Sequence, residues 1–240
     1  MTSHGAFPHA AENLIDECID LYDRVVKGVE HEARQSPDRA YGGVVRANKG
    51  VLVENLAEKL IKAAWLVNHN SEDGLSLNDQ KKFEIPIKRD YIERIPDREI
   101  RNYIQQNIEN YCLQHGADIH VYVNGAFVLA VECKAFTENA MFKRILVDSC
   151  LLKTRFPNLR FALVQLESQL TGDYSELNEV TYGSRPTHTL LSYFDADIKI
   201  FTLLKGERKV DKPIHKPDYY KPLEKPQLRR VVKKMALLLG

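Results

Sequence analysis

Residues 117–136 read ADIHVYVNGAFVLAVECKAF. The first part, Asp118 to Val123, alternates apolar and polar side chains, as a half-buried strand does. After Asn124-Gly125 the chain becomes almost wholly apolar from Phe127 to Val131, then ends abruptly in Glu132-Cys133-Lys134. Asn-Gly between two such runs is a strong short-range signal for a β-hairpin. Side chains alternate across a strand, so Glu132 and Lys134 share a face about 6.6 Å apart, and Cys133 turns the other way into packing. Charges at the end of a central, buried strand are costly unless they are compensated.

Outward from the hairpin, residues 10–34 place Leu14, Cys18, Leu21, Tyr22, Val25 and Val29 at helical spacing, and a second helix is expected over 50–67. The stretch 68–96, with Gly74, Pro86 and KRDYIER, reads as a loop or insertion holding at most one short strand. Asp97 caps a third helix expected to run to His115, with Gly116 as its stop. After the hairpin come a helix over 137–156, the strand RFALVQL, a polar loop over 171–187 and the strand DIKIFTLL. This order predicts an α/β domain over residues 1–204, with a mixed central β-sheet flanked by helices. Residues 205–240 read as a basic, proline-spaced arm ending in a helix.

The chain has 240 residues and a formal net charge of +1. That total hides a division. Residues 205–240 hold eleven Lys/Arg against four Asp/Glu, so the first 204 carry a net excess of six acidic charges. The arm reads either as a solvated tail with a docking helix or as a contact for phosphates. No apolar run approaches the roughly 20 residues of a membrane span, and no secretory leader is visible at the N-terminus. Four scattered cysteines without a C-x-x-C pair fit a reducing cytoplasm and exclude a zinc ribbon. Phosphate-loop and serine-elbow motifs are absent.

Asp118 and Glu132 are hard oxygen donors suited to Mg²⁺, which takes one or two protein carboxylates and keeps several waters. Lys134 beside the ion is placed to hold or deprotonate an attacking water, while the ion stabilises the leaving oxygen of a phosphodiester. Parity raises an objection. With a regular two-residue turn, Asp118 would face Val131 and diverge from Glu132, so the site requires a three-residue loop or a β-bulge. A second E-x-K, Glu207-Arg208-Lys209, follows Lys205-Gly206 in a charged turn and lacks the apolar strand.

Asp118, a step of fourteen residues, then Glu132-Cys133-Lys134 in a hairpin followed by a helix resembles the PD-(D/E)XK nuclease superfamily, above all its type II restriction endonucleases. Ala117 stands where that family often has proline. The resemblance implies Mg²⁺-dependent hydrolysis of double-stranded DNA, with Asp118, Glu132 and the main-chain carbonyl of Cys133 as metal ligands and Lys134 orienting water. It also draws attention to Glu54 on the helix before the hairpin as a further catalytic, metal-binding carboxylate, with Glu58 one turn on. Candidate DNA contacts are Lys143 and Arg144 on the following helix, and Tyr182 and Arg185 among the donor-rich side chains of the 171–187 loop. A two-fold DNA target favours a homodimer. His120, of the same strand parity as Asp118, reads as a core histidine or a group reaching DNA, and Gln165 as a neighbour of the site or an ordinary strand residue. A repair or recombination nuclease of the same fold, and an inactive nuclease-like DNA-binding module, stand as alternatives.

Overall fold

The computed structural model describes residues 7–35, 41–78, 81–170, 185–194 and 197–240. Helix α1, His9–Gln35, buries Ala11, Ile15, Cys18, Tyr22 and Val26, a single stripe at spacings of three and four. Helix α2, Tyr41–His69, buries more than one face, because it lies between α1 and the sheet. It begins before the expected Gly50. Glycine lowers helix propensity by about 1 kcal/mol, which does not end a helix whose later turns are packed.

Strands β1 (Leu75–Asn78) and β2 (Phe83–Pro86), then helices α3 (Arg89–Glu93) and α4 (Arg98–Gln106), lead to strand β3 (Cys112–His115). The hairpin is β4 (Ile119–Val123) and β5 (Ala126–Glu138). Helix α5 (Asn139–Arg155), strand β6 (Arg160–Gln169), helix α6 (Arg185–Ser192), strand β7 (Ile198–Thr202) and helix α7 (Lys225–Leu239) complete the order. The main sheet runs β1-β4-β5-β6-β7, with β1, β4 and β5 antiparallel and β5, β6 and β7 parallel. It is the mixed α/β sheet that the sequence predicts. Leu129, Val131 and Cys133 of β5 face a core shared with α1, α2 and α7, while Ala130 faces a second core under α5.

Three expectations are corrected. The 68–96 stretch is no mere insertion, since β1 pairs with β4 as an edge of the main sheet and β2 pairs with β3. The helix expected to reach His115 stops at Gln106, and Cys112–His115 is extended because β2 supplies a partner. Gly116 is instead required by crowding, as a Cβ there would lie 2.6 Å from the Lys81 carbonyl oxygen and 3.3 Å from His120 Nε2.

Residues 205–240 are likewise built into the domain. Leu228, Val231, Val232, Met235, Ala236 and Leu239 of α7 are buried in the same core as α1 and α2. Arg229 makes two 2.8 Å hydrogen bonds to the Glu12 carboxylate, and Lys225 pairs with Glu12 and Asp16. Basic charge at the end of the chain therefore meets acidic charge on its first helix. Among the described residues, no helix is long and apolar enough to cross a membrane.

Candidate active site

The hairpin resolves its own parity problem. Asn124 and Gly125 form a two-residue turn at φ 49° and 81°, and Val123 pairs with Ala126 across it. The register then shifts, with Tyr122 opposite Phe127 but Val121 opposite Leu129, which leaves Val128 as the extra residue of a bulge. Beyond the bulge Ile119 faces Val131, which carries Asp118 to the level of Glu132. Of the three-residue loop and the bulge that the sequence left open, the bulge is the one present.

Strand β4 starts at Ile119, so the main-chain groups of Cys133 on that side lie where β4 no longer offers a ladder partner. The Asp118 carboxylate takes that place, its Oδ2 accepting from Cys133 N at 2.7 Å. Lys134 Nζ donates to Asp118 Oδ2 at 2.7 Å, to Glu132 Oε2 at 2.9 Å and to the Cys133 carbonyl oxygen at 3.1 Å. Two carboxylates and one carbonyl thus converge on a single cation, the ammonium of the same motif. These are the three oxygen donors expected for Mg²⁺, and a position already held by a positive charge fits a hard cation. Among the described residues, no group of three or more His, Cys, Asp or Glu side chains is gathered for a metal, so the carbonyl matters to the set.

Burial raises the Glu132 carboxyl from 4.5 to about 7; the Lys134 charge opposes that shift, while Asp118 and Asp148 add to it. Burial acts to lower the Lys134 ammonium, but Glu132 and Asp118 overcome it and hold the proton more firmly than usual. The Cys133 thiol is pushed well up by burial, consistent with packing and not chemistry.

Glu54 is exposed on α2 and adds to the rise of the Cys133 thiol, which places it electrostatically beside the centre. It forms no three-side-chain group with Asp118 and Glu132. His120 is a core histidine, fully buried against Phe83 and Phe127, and its Nε2 accepts from Ala117 N at 3.0 Å. Gln165 is the register mate of Lys134 and donates to Thr202 Oγ1 at 2.9 Å. Lys143 and Arg185 line one open groove of about 590 Å³ between the starts of α5 and α6. Arg144 is exposed, its Nε 3.8 Å from Asp148 Oδ2. Tyr182 lies outside the described residues. Asp148 is the neighbour that sequence reasoning missed; on an amphipathic helix nothing in its spacing singles it out.

No family model matches the chain. A solved structure described as the native BbvCI A2B2 tetramer at low resolution overlaps 96% of this chain and 95% of its own, at 9% identity and a TM-score of 0.35, a level that decides nothing. The type II restriction enzyme DdeI of Desulfomicrobium norvegicum is 49% identical over 220 residues, covering 90% of this chain and 91% of that protein. With identity of that extent across nearly the whole domain, the chain belongs to the type II restriction enzyme family.

Proposed function

We propose that the chain is a Mg²⁺-dependent, sequence-specific endonuclease of the PD-(D/E)XK type that hydrolyses phosphodiesters in double-stranded DNA, acting as a homodimer in the cytoplasm. The observation that carries this reading is the convergence of Asp118 Oδ2, Glu132 Oε2 and the Cys133 carbonyl oxygen on one cation at the end of a buried strand. The likeness to a type II restriction enzyme supplies the substrate class.

Asp118, Glu132 and the Cys133 carbonyl would hold the ion. When bound, Mg²⁺ supplies charge neutralisation at the phosphoryl and leaving oxygens. Asp118 has a second duty, because its bond to Cys133 N fixes the strand end from which Glu132 and Lys134 project. Lys134 Nζ would yield that position to the ion and, from beside it, donate to and orient the attacking water. Strand β5, third of five in the sheet, fixes these groups on a rigid element, which preorganisation requires. Lys143 and Arg185, on the groove between α5 and α6, contact backbone phosphates, with Arg144 and Tyr182 as further DNA contacts. Glu54 on α2 is the further carboxylate that would assist in holding the ion. Residues 68–96 and 205–240 work as parts of one catalytic unit.

Incubation of the protein with phage DNA and Mg²⁺ is expected to give discrete fragments. Glu132→Gln and Lys134→Ala should abolish cutting while retaining duplex binding in Ca²⁺. Full cleavage by either variant would overturn the assignment of the centre, and smears or structure-specific nicks would point to a repair nuclease.

A further inference from the structure

We infer that Lys49, Arg208 and His215 form an anion site beside the cleavage centre that takes a backbone phosphate of the bound DNA strand. This rests on the endonuclease reading above and adds a binding site to it.

The site is built at the end of β6. Glu167 is buried, 4% exposed, and is the register mate of Phe136, which lies two residues beyond Lys134 on β5. Lys134 and Phe136 share strand parity and are about 6.6 Å apart along β5. The Arg208 guanidinium rests on the Phe136 ring, 3.8 Å from its centroid, with NH1 bonded to Gln169 Oε1. Its main-chain N donates to the Ser168 carbonyl at 2.8 Å. A planar cation clamped on an aromatic face is preorganised to meet phosphate oxygens.

Lys49 enters from α2, with Nζ 3.3 Å from His215 Nδ1. It stands five residues before Glu54, about 7.5 Å along the helix, so α2 carries both residues to the same end of the sheet. The charge balance separates an anion site from a structural ion pair. Glu167 already has a partner, since Lys221 Nζ lies 2.9 Å from its Oε1 and also donates to the Glu207 carbonyl at 3.0 Å. Lys49 is therefore not needed to neutralise Glu167. Burial pulls the Lys49 ammonium down to about 8, against the pull of Glu167 and with Arg208 adding to the fall. A desolvated cation facing a second cation is a cost that an incoming anion relieves. At Glu132 the surplus is of carboxylate and calls for a metal; here it is of cation and calls for phosphate.

The test is duplex binding in Ca²⁺ across a salt series, for wild type, Lys49→Met, Lys49→Arg and Arg208→Gln. Lys49→Met and Arg208→Gln are expected to weaken binding about tenfold each, on cognate and unrelated duplexes alike, and to reduce the slope of log affinity on log salt by about 1. Lys49→Arg should retain most of the affinity. Lys49→Met should melt no lower than wild type, because Glu167 keeps Lys221; a structural ion pair would lower its melting temperature. Wild-type affinity and salt slope in both neutral variants, from a protein that binds and cuts DNA, would overturn this site alone. A wild-type protein that neither binds nor cuts duplex DNA would overturn the endonuclease reading and this site with it.

Discussion

Replacing Lys134 with methionine removes the ammonium that links Asp118, Glu132 and the Cys133 carbonyl while keeping the side chain's length. The side chains of Lys134, Asp118 and Glu132 are 27%, 29% and 16% exposed, so they lie in the partly desolvated regime where the loss of one partner is felt. Breaking a fully buried pair costs about 3–5 kcal/mol, and partial exposure reduces this to about 2–3 kcal/mol. In a domain of this size that corresponds to a fall of about 5–10 °C in melting temperature. The loss should depend on pH. Because the folded pKa of Glu132 is raised from 4.5 to about 7, the stability its proton contributes is complete below the lower value and disappears as pH rises through the upper. A displacement of that size is worth about 3 kcal/mol between the two protonation states, and the missing ammonium widens it. Lys134→Met should thus lie close to wild type near about pH 5 and fall well below it near about pH 8. Millimolar Mg²⁺ at the higher pH should restore most of the loss by binding the folded state, and should raise wild type less, since there an ammonium must first give way. Thermal melts at both pH values with and without Mg²⁺ read this directly. Equal loss at both, with no response to Mg²⁺, would refute the claim that the two carboxylates form a cation site.

Two further outcomes follow from the hairpin and the last helix. Deleting Val128 closes the bulge but, because Val128 is the extra residue, leaves Ile119 opposite Val131 and Asp118 level with Glu132, so cleavage should survive; loss of cleavage with the α/β content intact by circular dichroism would show that register alone does not build the centre. Leu228→Ala, at a fully buried position of α7, should cost about 2–5 kcal/mol in urea unfolding, against almost nothing for an appended arm.

The central strand and the cluster of charge at its end were legible because charge placed at the end of an apolar run contradicts burial. The bulge was legible for a related reason, as parity alone separated Asp118 from Glu132. The short strands β1, β2 and β3 were not legible. Leu75–Asn78 and Cys112–His115 carry little apolar signal of their own and are extended because β4 and β2 lie beside them. The proline spacing of 212–230 argued against helix and sheet, yet a 3-10 turn spans Pro217–Tyr219 and α7 begins at Lys225, with Pro226 in its first turn, where proline is at home. What the composition could not reveal was that the basic end folds back on the acidic helix α1. Glu54 was singled out on its helix by the family resemblance, while how near it stands to the centre depends on how α2 packs, which no local pattern encodes.

That fold-back also raises the contact order of the domain. Glu12 meets Arg229 across 217 positions of chain, and the Tyr22 hydroxyl bonds to the Lys221 carbonyl across 199. Contacts so distant reward the chain only after a long loop has closed, which slows folding relative to a domain built on local pairs. The first core lacks one wall until α7 docks, so α1, α2 and α7 complete their shared packing together.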